Sequence, residues 1–493
     1  MICALQAQSQ TNKTLPLSLQ QAVEMAVEHN LDVQISRYQP LFDEFALSGD
    51  YAVYEPAFNS AVQRAWQTSP GSVSSTGVVN FANRSDDSNV AAGIGNGSGG
   101  MATTPWGMGY QLSTALDKTT FLRSSNGFPD FSDQARANAE IDVRQPLLRN
   151  AWIDANRRDI LIAKKTINYD ELGFRLQALN IVAQTEQAYY ELIYDFENVK
   201  VQQAAVDLAA QQANEDRKRV QVGAMAPLDA KQTESQLAAS RAALLAAQQT
   251  LGTQENVLKG LITDAYRELY AVTIVPAEKL VAVPEQIDLQ ESWQNSLKLR
   301  PDLLQAKVDL ERKGITVRYA KNQLFPQLDF VGKYGRSGVD TSVSQALGDI
   351  PDDQFPSYSY GLQLTVPLGA RSQRAAFRSA KAAIEQAQLQ YRKVEQSLLI
   401  TIENTVGSIN STMERVRATR EAREYAEAAL EAGQKKLEVG KSTTFEVLGL
   451  QKNLTQARTD EIRALADYNE ALSTLAQNEG TTLANHHLTV KVK

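Results

Sequence analysis

The chain repeats itself, and this repetition limits its possible folds more than any other feature of the sequence. Four short segments of the first half return in the second half, in the same order. They indicate a tandem duplication. Each copy is predicted to contain a helix, a strand region punctuated by proline, a long helix, a glycine turn and a second long helix. The paired segments are residues 31–34 and 301–304, 54–58 and 324–328, 144–148 and 365–369, and 220–223 and 437–440.

Two proline-free segments, residues 152–219 and 371–438, carry the strongest helical signal. In the second segment, apolar residues step by three and four positions from Leu399 to Val416, which is the spacing of a coiled-coil seam. At a rise of about 1.5 Å per residue, each segment would form a helix on the order of 100 Å long. A compact domain has no room for such helices, so the sequence predicts an elongated, mainly α-helical protein.

Short alternating segments between the helices predict a small β part. Apolar and polar residues alternate in 139–143, 328–334 and 358–366, as in half-buried strands. Two strands per copy give about four per chain, whereas single-chain membrane barrels begin at about eight. Three chains that contribute four strands each would close one shared barrel without open edges. Candidate residues for its aromatic girdles are Tyr54, Phe58, Trp66, Tyr334, Tyr358 and Tyr360, and the alternative is that they fill a β-sandwich core.

The first copy contains an insert, residues 67–136, that the second copy lacks. Gly95, Gly97 and Gly100 formally match a dinucleotide-binding motif. The strand and helix that this motif requires are not predicted around them, so a flexible loop is expected. Residues 106–116 alternate again and predict a strand. The pattern does not decide between an added hairpin at the outer mouth and an extra barrel strand.

Composition argues against several classes of function. Mean hydropathy is -0.34, and no segment approaches the roughly 18 to 20 apolar residues of a membrane-spanning helix. The net charge of -7, without a basic cluster, argues against nucleic acid as a partner. Cys3 is the only cysteine, and the three histidines are not at ligand spacing with carboxylates. Without a catalytic triad, phosphate loop or redox pair, we expect neither an enzyme nor a bound cofactor or metal.

The duplication also sets the expected domain boundaries. Residues 1–17 are interpreted as an N-terminal tail that resembles the end of a secretion signal, with Ala7 at the cleavage site. An ordinary disordered terminus and a lipid-acceptor role for Cys3 are the alternatives. The other expected divisions are a first repeat at 18–270, a linker at 271–286, a second repeat at 287–478 and a disordered C-terminal tail at 479–493.

The ordered duplication, the Gln145-Pro146-Leu147-Leu148 segment and the paired Val-Gly turns resemble the TolC family of outer-membrane efflux proteins, over about residues 18–478. The resemblance implies a homotrimer with a shared twelve-stranded barrel in outer-membrane lipid and a helical tunnel through the periplasm of a Gram-negative type bacterium. It also implies a passive exit duct of a tripartite efflux or type I secretion system. The implied partners are a periplasmic adaptor (membrane fusion) protein and an inner-membrane transporter.

Site residues also follow from this resemblance. The turns that would dock the adaptor are Val222-Gly223-Ala224 and Val439-Gly440-Lys441. Six positions after each glycine, Asp229 and Glu446 would lie near the periplasmic aperture, where a threefold ring of carboxylates attracts cations and opposes closure. The alternative is that both are acids at helix N-termini, which favour the helix dipole. Gly449 and Ser442 depart from the family pattern and put its latch pairing in doubt, which leaves Lys441 as a substitute.

A periplasmic coiled-coil adaptor or a scaffold without a channel is the other function class. An adaptor would show one helical hairpin inside a split lipoyl-like β domain, whereas this sequence predicts two hairpins and few strands. Extraction as a detergent-requiring trimer would distinguish a channel from a soluble scaffold. The exported substrate is not predicted.

Overall fold

A computed structural model describes residues 14–69, 83–125, 128–223, 225–351 and 355–489. The chain divides into two compact units. The helical unit comprises the described parts of Met1–Leu41, Asn168–Lys307 and Gln390–Lys493, and the sheet unit those of Phe42–Ile167 and Val308–Leu389. Each unit draws on both halves of the chain, so the compact units are not the two sequence repeats.

The helices are α1 (Leu19–His29), α2 (Leu31–Tyr51), α3 (Ala155–Gln221), α4 (Pro227–Ile262), α5 (Tyr266–Leu269), α6 (Leu289–Leu299), α7 (Pro301–Asn322), α8 (Val343–Gly348), α9 (Arg371–Glu438), α10 (Thr444–Glu479) and α11 (Thr482–Asn485), with a 3-10 helix at Ala52–Tyr54. The strands are β1 (Thr14–Leu17), β2 (Ala57–Ser69), β3 (Asn83–Gly95), β4 (Ala102–Thr103), β5 (Gly109–Ser125), β6 (Phe128–Pro146), β7 (Thr273–Pro276), β8 (Gln327–Asp340) and β9 (Pro356–Thr365).

The same order of elements recurs in the two halves of the chain, as the predicted duplication requires. The first copy runs α1, α2, β2, β6, α3 and α4 around its insert, and the second runs α6, α7, β8, β9, α9 and α10. Helices α3 and α9 have 67 and 68 residues, while α4 and α10 each have 36. The helix predicted at the start of each copy is two helices. In the first copy they separate at Asn30, whose side-chain oxygen accepts the amide of Asp32 at 2.9 Å and so caps the second helix.

The predicted apolar stripe of α9 is a packing seam within the helical unit. Ile402, Ile409 and Val416 are 0 to 2 % exposed and pack against α10, where Ala464 and Tyr468 are equally buried. Burial of each large apolar side chain contributes about 1.5 to 3 kcal/mol. Another cluster of this unit joins α3 to α4, β1 and β7 around Tyr189. The side-chain packing therefore explains why helices of this length remain ordered.

The main sheet is antiparallel, and its strand number corrects the prediction. Among the described residues its hydrogen-bonded order is β2-β3-β5-β6-β8-β9, with the short β4 paired only to β5. About four strands were expected: β6, β8 and β9 are the three that alternation placed in the sequence, and β2 is the fourth that two strands per copy required. Strands β3 and β5 come from the insert at 67–136. Residues 93–95 of the predicted loop belong to β3. This strand was not predicted, because small residues such as Ala91 and Ala92 obscure its alternation of apolar and polar residues.

The chain termini also differ from expectation where the structure describes them. Thr14–Leu17 forms β1, which pairs in parallel with β7. Residues 1–13, including Cys3, lie outside the described residues, as do 490–493. The expected disordered tail at 479–493 is instead ordered up to residue 489. Gly480 caps α10 with a φ of 79°, and Thr482 of α11 is fully buried.

None of the helices among the described residues is long and apolar enough to span a lipid bilayer.

Candidate functional site

One face of the main sheet is apolar across its six long strands, from β2 to β9. Strand pairing aligns a single row of large apolar residues, in which each residue is the direct partner of the next. Side chains on alternate residues of a strand share a face, so the positions two residues away extend the same surface. The row is Phe58, Ile94, Leu112, Ile141, Tyr334 and Tyr358.

The opposite face of the sheet is polar. Glu140 of β6 and Lys333 of β8 form an ion pair of 2.7 Å there. On the same face, Arg144 Nε donates to the carboxylate of Asp329 at 2.8 Å, and Asp329 is 1 % exposed. Polar residues continue this face across the other strands at Asn59, Gln63, Asn89, Gln111, Asp117, Ser359 and Gln363.

The apolar face is open to its surroundings in one chain. Val62 and Tyr360 are each 78 % exposed, and Phe58 is 72 % exposed. In a water-soluble sheet such residues pack onto a core, whereas a membrane barrel turns them toward lipid and its polar face toward the lumen. Strand β2 has 13 residues, and the usual bilayer-spanning strand has about 9 to 11. The sheet therefore has the two faces and the length of a membrane barrel wall.

Charges and a short helix mark the end of the apolar face where β2 leads into residues 70–82. Arg64 pairs with Asp86 at 2.6 Å, and Lys118 pairs with Asp133 at 3.2 Å. Helix α8 lies on the same face, where Ala346 is fully buried. A Cβ on Gly338 would come within 2.0 Å of the Ala346 carbonyl oxygen, so only glycine permits this approach. The apolar face therefore ends near this end of the strands.

Five of the six predicted girdle residues lie on the apolar face: Phe58, Trp66, Tyr334, Tyr358 and Tyr360. Tyr54 does not, because the chain forms a 3-10 helix at Ala52–Tyr54 before β2 begins. Burial, followed by the nearby Asp154, raises the pKa of Tyr54 above its usual value. Its side chain borders a cavity of about 540 Å³ that Trp152 and Arg157 also line. Tyr54 therefore lies before the sheet and not on its apolar face.

Both predicted glycine turns end a long helix in the same way. Gly223 and Gly440 have φ angles of +74° and +72°, a left-handed conformation that favours glycine. At the second turn the amide of Lys441 donates to the carbonyl of Lys436 at 2.8 Å, and the amide of Gly440 donates to that of Leu437 at 3.1 Å. This pair of bonds is a Schellman motif. Ala224 lies outside the described residues.

Exposed valines precede both glycines. Val222 is 77 % exposed and Val439 is 67 % exposed, and nothing lies within 4 Å of a Cβ placed on either glycine. In one chain, each hairpin tip therefore offers an apolar side chain beside free space.

Asp229 and Glu446 occupy the same position, the third residue of a helix that follows a glycine turn. Glu446 completes a capping box: its carboxylate accepts the amide of Thr443 at 3.3 Å, and Thr443 Oγ1 accepts the amide of Glu446 at 3.2 Å. Ser442 Oγ donates to the same carboxylate at 2.6 Å. These bonds, that from Ser442 first, lower the pKa of Glu446. The helix-terminus alternative thus describes the local role of Glu446, with Ser442 rather than Lys441 as its partner.

The sequence analysis missed a buried acidic group within the helical unit. Asp195 of α3 is 2 % exposed, and one of its carboxylate oxygens has no hydrogen-bond partner. Burial, reinforced by the neighbouring Glu191, raises its pKa to about 6, although Arg463 acts in the opposite direction. Glu470 of α10 has its pKa raised to about 7, mainly by burial. Acidic residues four positions apart on a helix usually indicate a solvent-exposed face, so the sequence did not predict this buried cluster.

Among the described residues there is no group of three or more His, Cys, Asp or Glu side chains that could hold a metal ion.

The fold is that of outer-membrane channels. The outer-membrane channel OprN matches with a TM-score of 0.68 at 16 % identity, covering 94 % of this chain and 89 % of that one. The outer membrane protein VceC of Vibrio cholerae matches with a TM-score of 0.64 at 17 % identity, covering 94 % and 96 %. The CmeC outer membrane channel of Campylobacter jejuni matches with a TM-score of 0.66 at 14 % identity, covering 97 % and 90 %.

The sequence comparison points to the same class. Residues 293–481, nearly the expected second repeat, match the family model described as outer membrane efflux protein. The resemblance to the TolC family of outer-membrane efflux proteins is therefore confirmed, as is the mainly α fold class with a small β part. No curated protein sequence matches the chain.

Proposed function

We propose that this protein is the outer-membrane exit duct of a tripartite efflux or type I secretion system. The observation that carries the proposal is the sheet with an exposed apolar face and a polar opposite face. A water-filled passage through lipid requires this arrangement, because the outer side faces acyl chains and the inner side faces water. The strands would lie in the outer membrane and the helical hairpins in the periplasm. The protein would be a passive conduit without catalytic residues, cofactor or metal.

The sheet itself supports assembly of several copies. Strands β2 and β9 each have a partner on one side only among the described residues. An unpaired edge in lipid leaves backbone amide and carbonyl groups without hydrogen bonds, which costs several kcal/mol per group. A homotrimer that joins these edges removes the cost, and outer-membrane lipid then surrounds the apolar face.

Adaptor docking is proposed for the two hairpin tips, formed by Val222, Gly223 and Ala224 and by Val439, Gly440 and Lys441. The support is the exposure of both valines and the empty space beside both glycines. A partner's helical hairpin fits such a site because small residues permit close approach and valine supplies apolar area. The inner-membrane transporter would deliver substrate through that adaptor.

Asp229 and Glu446 are proposed to line the periplasmic aperture. The Glu446 carboxylate, whose pKa is lowered from its ordinary value, is charged at neutral pH as an ordinary glutamate is, so three copies around one axis would form a ring of negative charge. Such rings favour cations in channels. Glu446 can cap its helix and also line an aperture, because its carboxylate remains exposed to solvent and charged while it accepts the capping hydrogen bonds.

The aromatic girdle is proposed for Phe58, Trp66, Tyr334, Tyr358 and Tyr360. Their exposure on the apolar face is the supporting observation, and aromatic rings concentrate where acyl chains meet water.

The competing function, a periplasmic coiled-coil adaptor or scaffold, leaves the apolar face without a role. Reconstitution tests the two against each other. The full chain, extracted from membranes in detergent and added to planar lipid bilayers, is expected to run as a trimer and to conduct ions in discrete steps. A protein that stays soluble without detergent and never conducts would be a scaffold.

A further inference from the structure

We propose that three copies of this chain close an eighteen-stranded barrel, rather than the twelve-stranded barrel that the resemblance implies. The inference rests on the proposed function, because it assumes a membrane-embedded trimer. It assigns a role to the insert at residues 67–136, which widens the barrel wall, and an interaction surface to the two sheet edges, which pair with other copies of the chain.

The inserted strands are part of the wall and not an appendage. Strand β2 pairs with β3 along its full length, from Ala57 opposite Gly95 to Ser69 opposite Asn83. Strand β5 pairs with β3 on one side and with β6 on the other. Between the described parts of β2 and β6 there is no pairing. Without the insert these two would be the neighbouring strands of a four-stranded contribution.

The side chains of the inserted strands follow the two-faced pattern of the other four. Val90 and Ile94 of β3 and Leu112 and Leu116 of β5 lie on the apolar face, at the level of Val62 and Phe58 in β2. Asn89 and Asp117 are hydrogen-bonded to each other on the polar face. A hairpin that projected into water would have no reason to keep an apolar row in register with its neighbours. The pattern indicates strands with lipid on one side and the lumen on the other.

The directions of the strands permit closure between copies. The six strands alternate in direction, so β2 and β9, at the two edges, run antiparallel to each other. The free edge of β9 in one copy can therefore pair antiparallel with the free edge of β2 in the next. Six strands are too few to close alone, since membrane barrels begin at about eight. This pairing is head-to-tail, and such contacts generate a closed ring when the rotation between copies closes, as in the proposed trimer.

The strand number determines the width of the passage. With strands about 4.8 Å apart and tilted by about 40°, twelve strands give a backbone diameter of about 24 Å and eighteen give about 36 Å, because diameter grows roughly in proportion to strand number. Barrels of 16 to 18 strands leave an aqueous channel. The outer mouth would therefore be wide, and any restriction of the passage would lie elsewhere along it.

Electron cryomicroscopy of the full-length protein in lipid nanodiscs tests the strand number. We expect a trimer with eighteen strands and a backbone diameter near 36 Å. The matched variant lacks residues 70–125, so that Ser69 is joined to Asn126, two residues before β6. It is expected to form a twelve-stranded barrel, narrower by about a third. A wild-type barrel of twelve strands with β2 paired to β6 would overturn the inference and leave the channel proposal intact. Absence of any membrane-embedded trimer would instead contradict the channel proposal.

Disulfide cross-linking tests the edges without relying on the shortened variant. In a Cys3→Ser background, Val62→Cys in β2 is combined in turn with Tyr358→Cys, Tyr360→Cys and Leu362→Cys in β9. At least one pair is expected to give covalent trimers on oxidation. The control combines each β9 cysteine with Val90→Cys in β3, and we expect only uncrosslinked chains. Cross-links through β3 at the yield of β2, or none through β2, would remove the edge assignment.

Discussion

Tyr334 and Tyr358 are direct cross-strand partners on the apolar face of the sheet, and both rings are exposed, by 44 % and 77 %. A pair of large aromatic residues open on one side is costly in water. The same pair is favourable at the boundary of a bilayer, where the rings contact acyl chains and the hydroxyl groups reach water. Direct cross-strand pairs of large apolar residues continue along the row from Phe58 to Tyr358, and the following expectations depend on this apolar face.

A charge on the apolar face is expected to block assembly in the membrane. Val62→Arg places a guanidinium on the face proposed to contact lipid, one same-face position from Arg64, at a cost of about 1 to 2 kcal/mol, less than at the bilayer centre. Gln63→Arg is the matched control, since its neighbouring position faces the polar side. The measurement is the amount of trimer in outer-membrane fractions, recognised on gels by its dissociation on heating. We expect a marked loss for Val62→Arg and near-normal amounts for Gln63→Arg. Equal amounts for the two variants would contradict the assignment of faces.

Substitutions at the second glycine turn are expected to separate stability from docking. Gly440→Ala forces an L residue into a left-handed conformation and should cost about 1 to 2 kcal/mol in the free energy of unfolding. Gly407→Ala, in the exposed interior of α9, should be neutral or stabilising by up to about 1 kcal/mol. Thermal unfolding of the two variants measures this difference.

Gly440→Arg tests docking at the same position. Because the guanidinium fills the free space at the tip, the variant should still form trimers but fail to co-purify with the periplasmic adaptor of its export system. Retention of the adaptor at wild-type levels would count against docking at this turn.

Removal of the Glu446 charge is expected to change ion selectivity. Glu446→Gln keeps the side-chain size and eliminates the proposed negative ring, so the cation preference of single channels in planar bilayers should fall. Thr443→Ala removes the capping hydroxyl at a cost of about 1 kcal/mol but keeps the carboxylate, so its selectivity should resemble that of the wild type. Unchanged selectivity in Glu446→Gln would place this residue away from the aperture.

The buried Asp195 is expected to make stability depend on pH. Its raised pKa of about 6 means that the folded state holds the proton more tightly than the unfolded state does. Stability therefore decreases as pH rises from the ordinary aspartate pKa through about 6, and the penalty persists above that value. Asp195→Asn should increase the free energy of unfolding by about 1 to 3 kcal/mol at pH 8, with little gain near pH 4. The exposed Asp207→Asn should show neither effect.

The sequence predicted the architecture because its strongest signals are periodic. The apolar stripe through Ile402 and Ile409 could be predicted from residue spacing alone. The left-handed glycines at the two turns could be predicted from residue type and position. Strand β3 was missed because Ala91, Ala92 and Gly93 weaken the contrast between its faces. The position of β3 in the sheet depends on its pairing with other strands, which the residues of β3 alone do not determine. The capping box at Thr443 and Glu446 was readable as a Thr-x-x-Glu motif before an apolar run, whereas the 3-10 helix that diverts Tyr54 left no local signature.

Accessibility along β2 tests the central claim most directly. Single cysteines at positions 58 to 67, in a Cys3→Ser background, are labelled with nitroxide in the trimer reconstituted into lipid vesicles. Their collisions with oxygen in the lipid and with a water-soluble nickel complex are then measured. We expect a period of two, with positions 58, 60, 62 and 66 open to oxygen and positions 59, 61, 63 and 65 open to the nickel complex. Uniform access of the nickel complex to all of these positions would show that the sheet does not lie in a membrane.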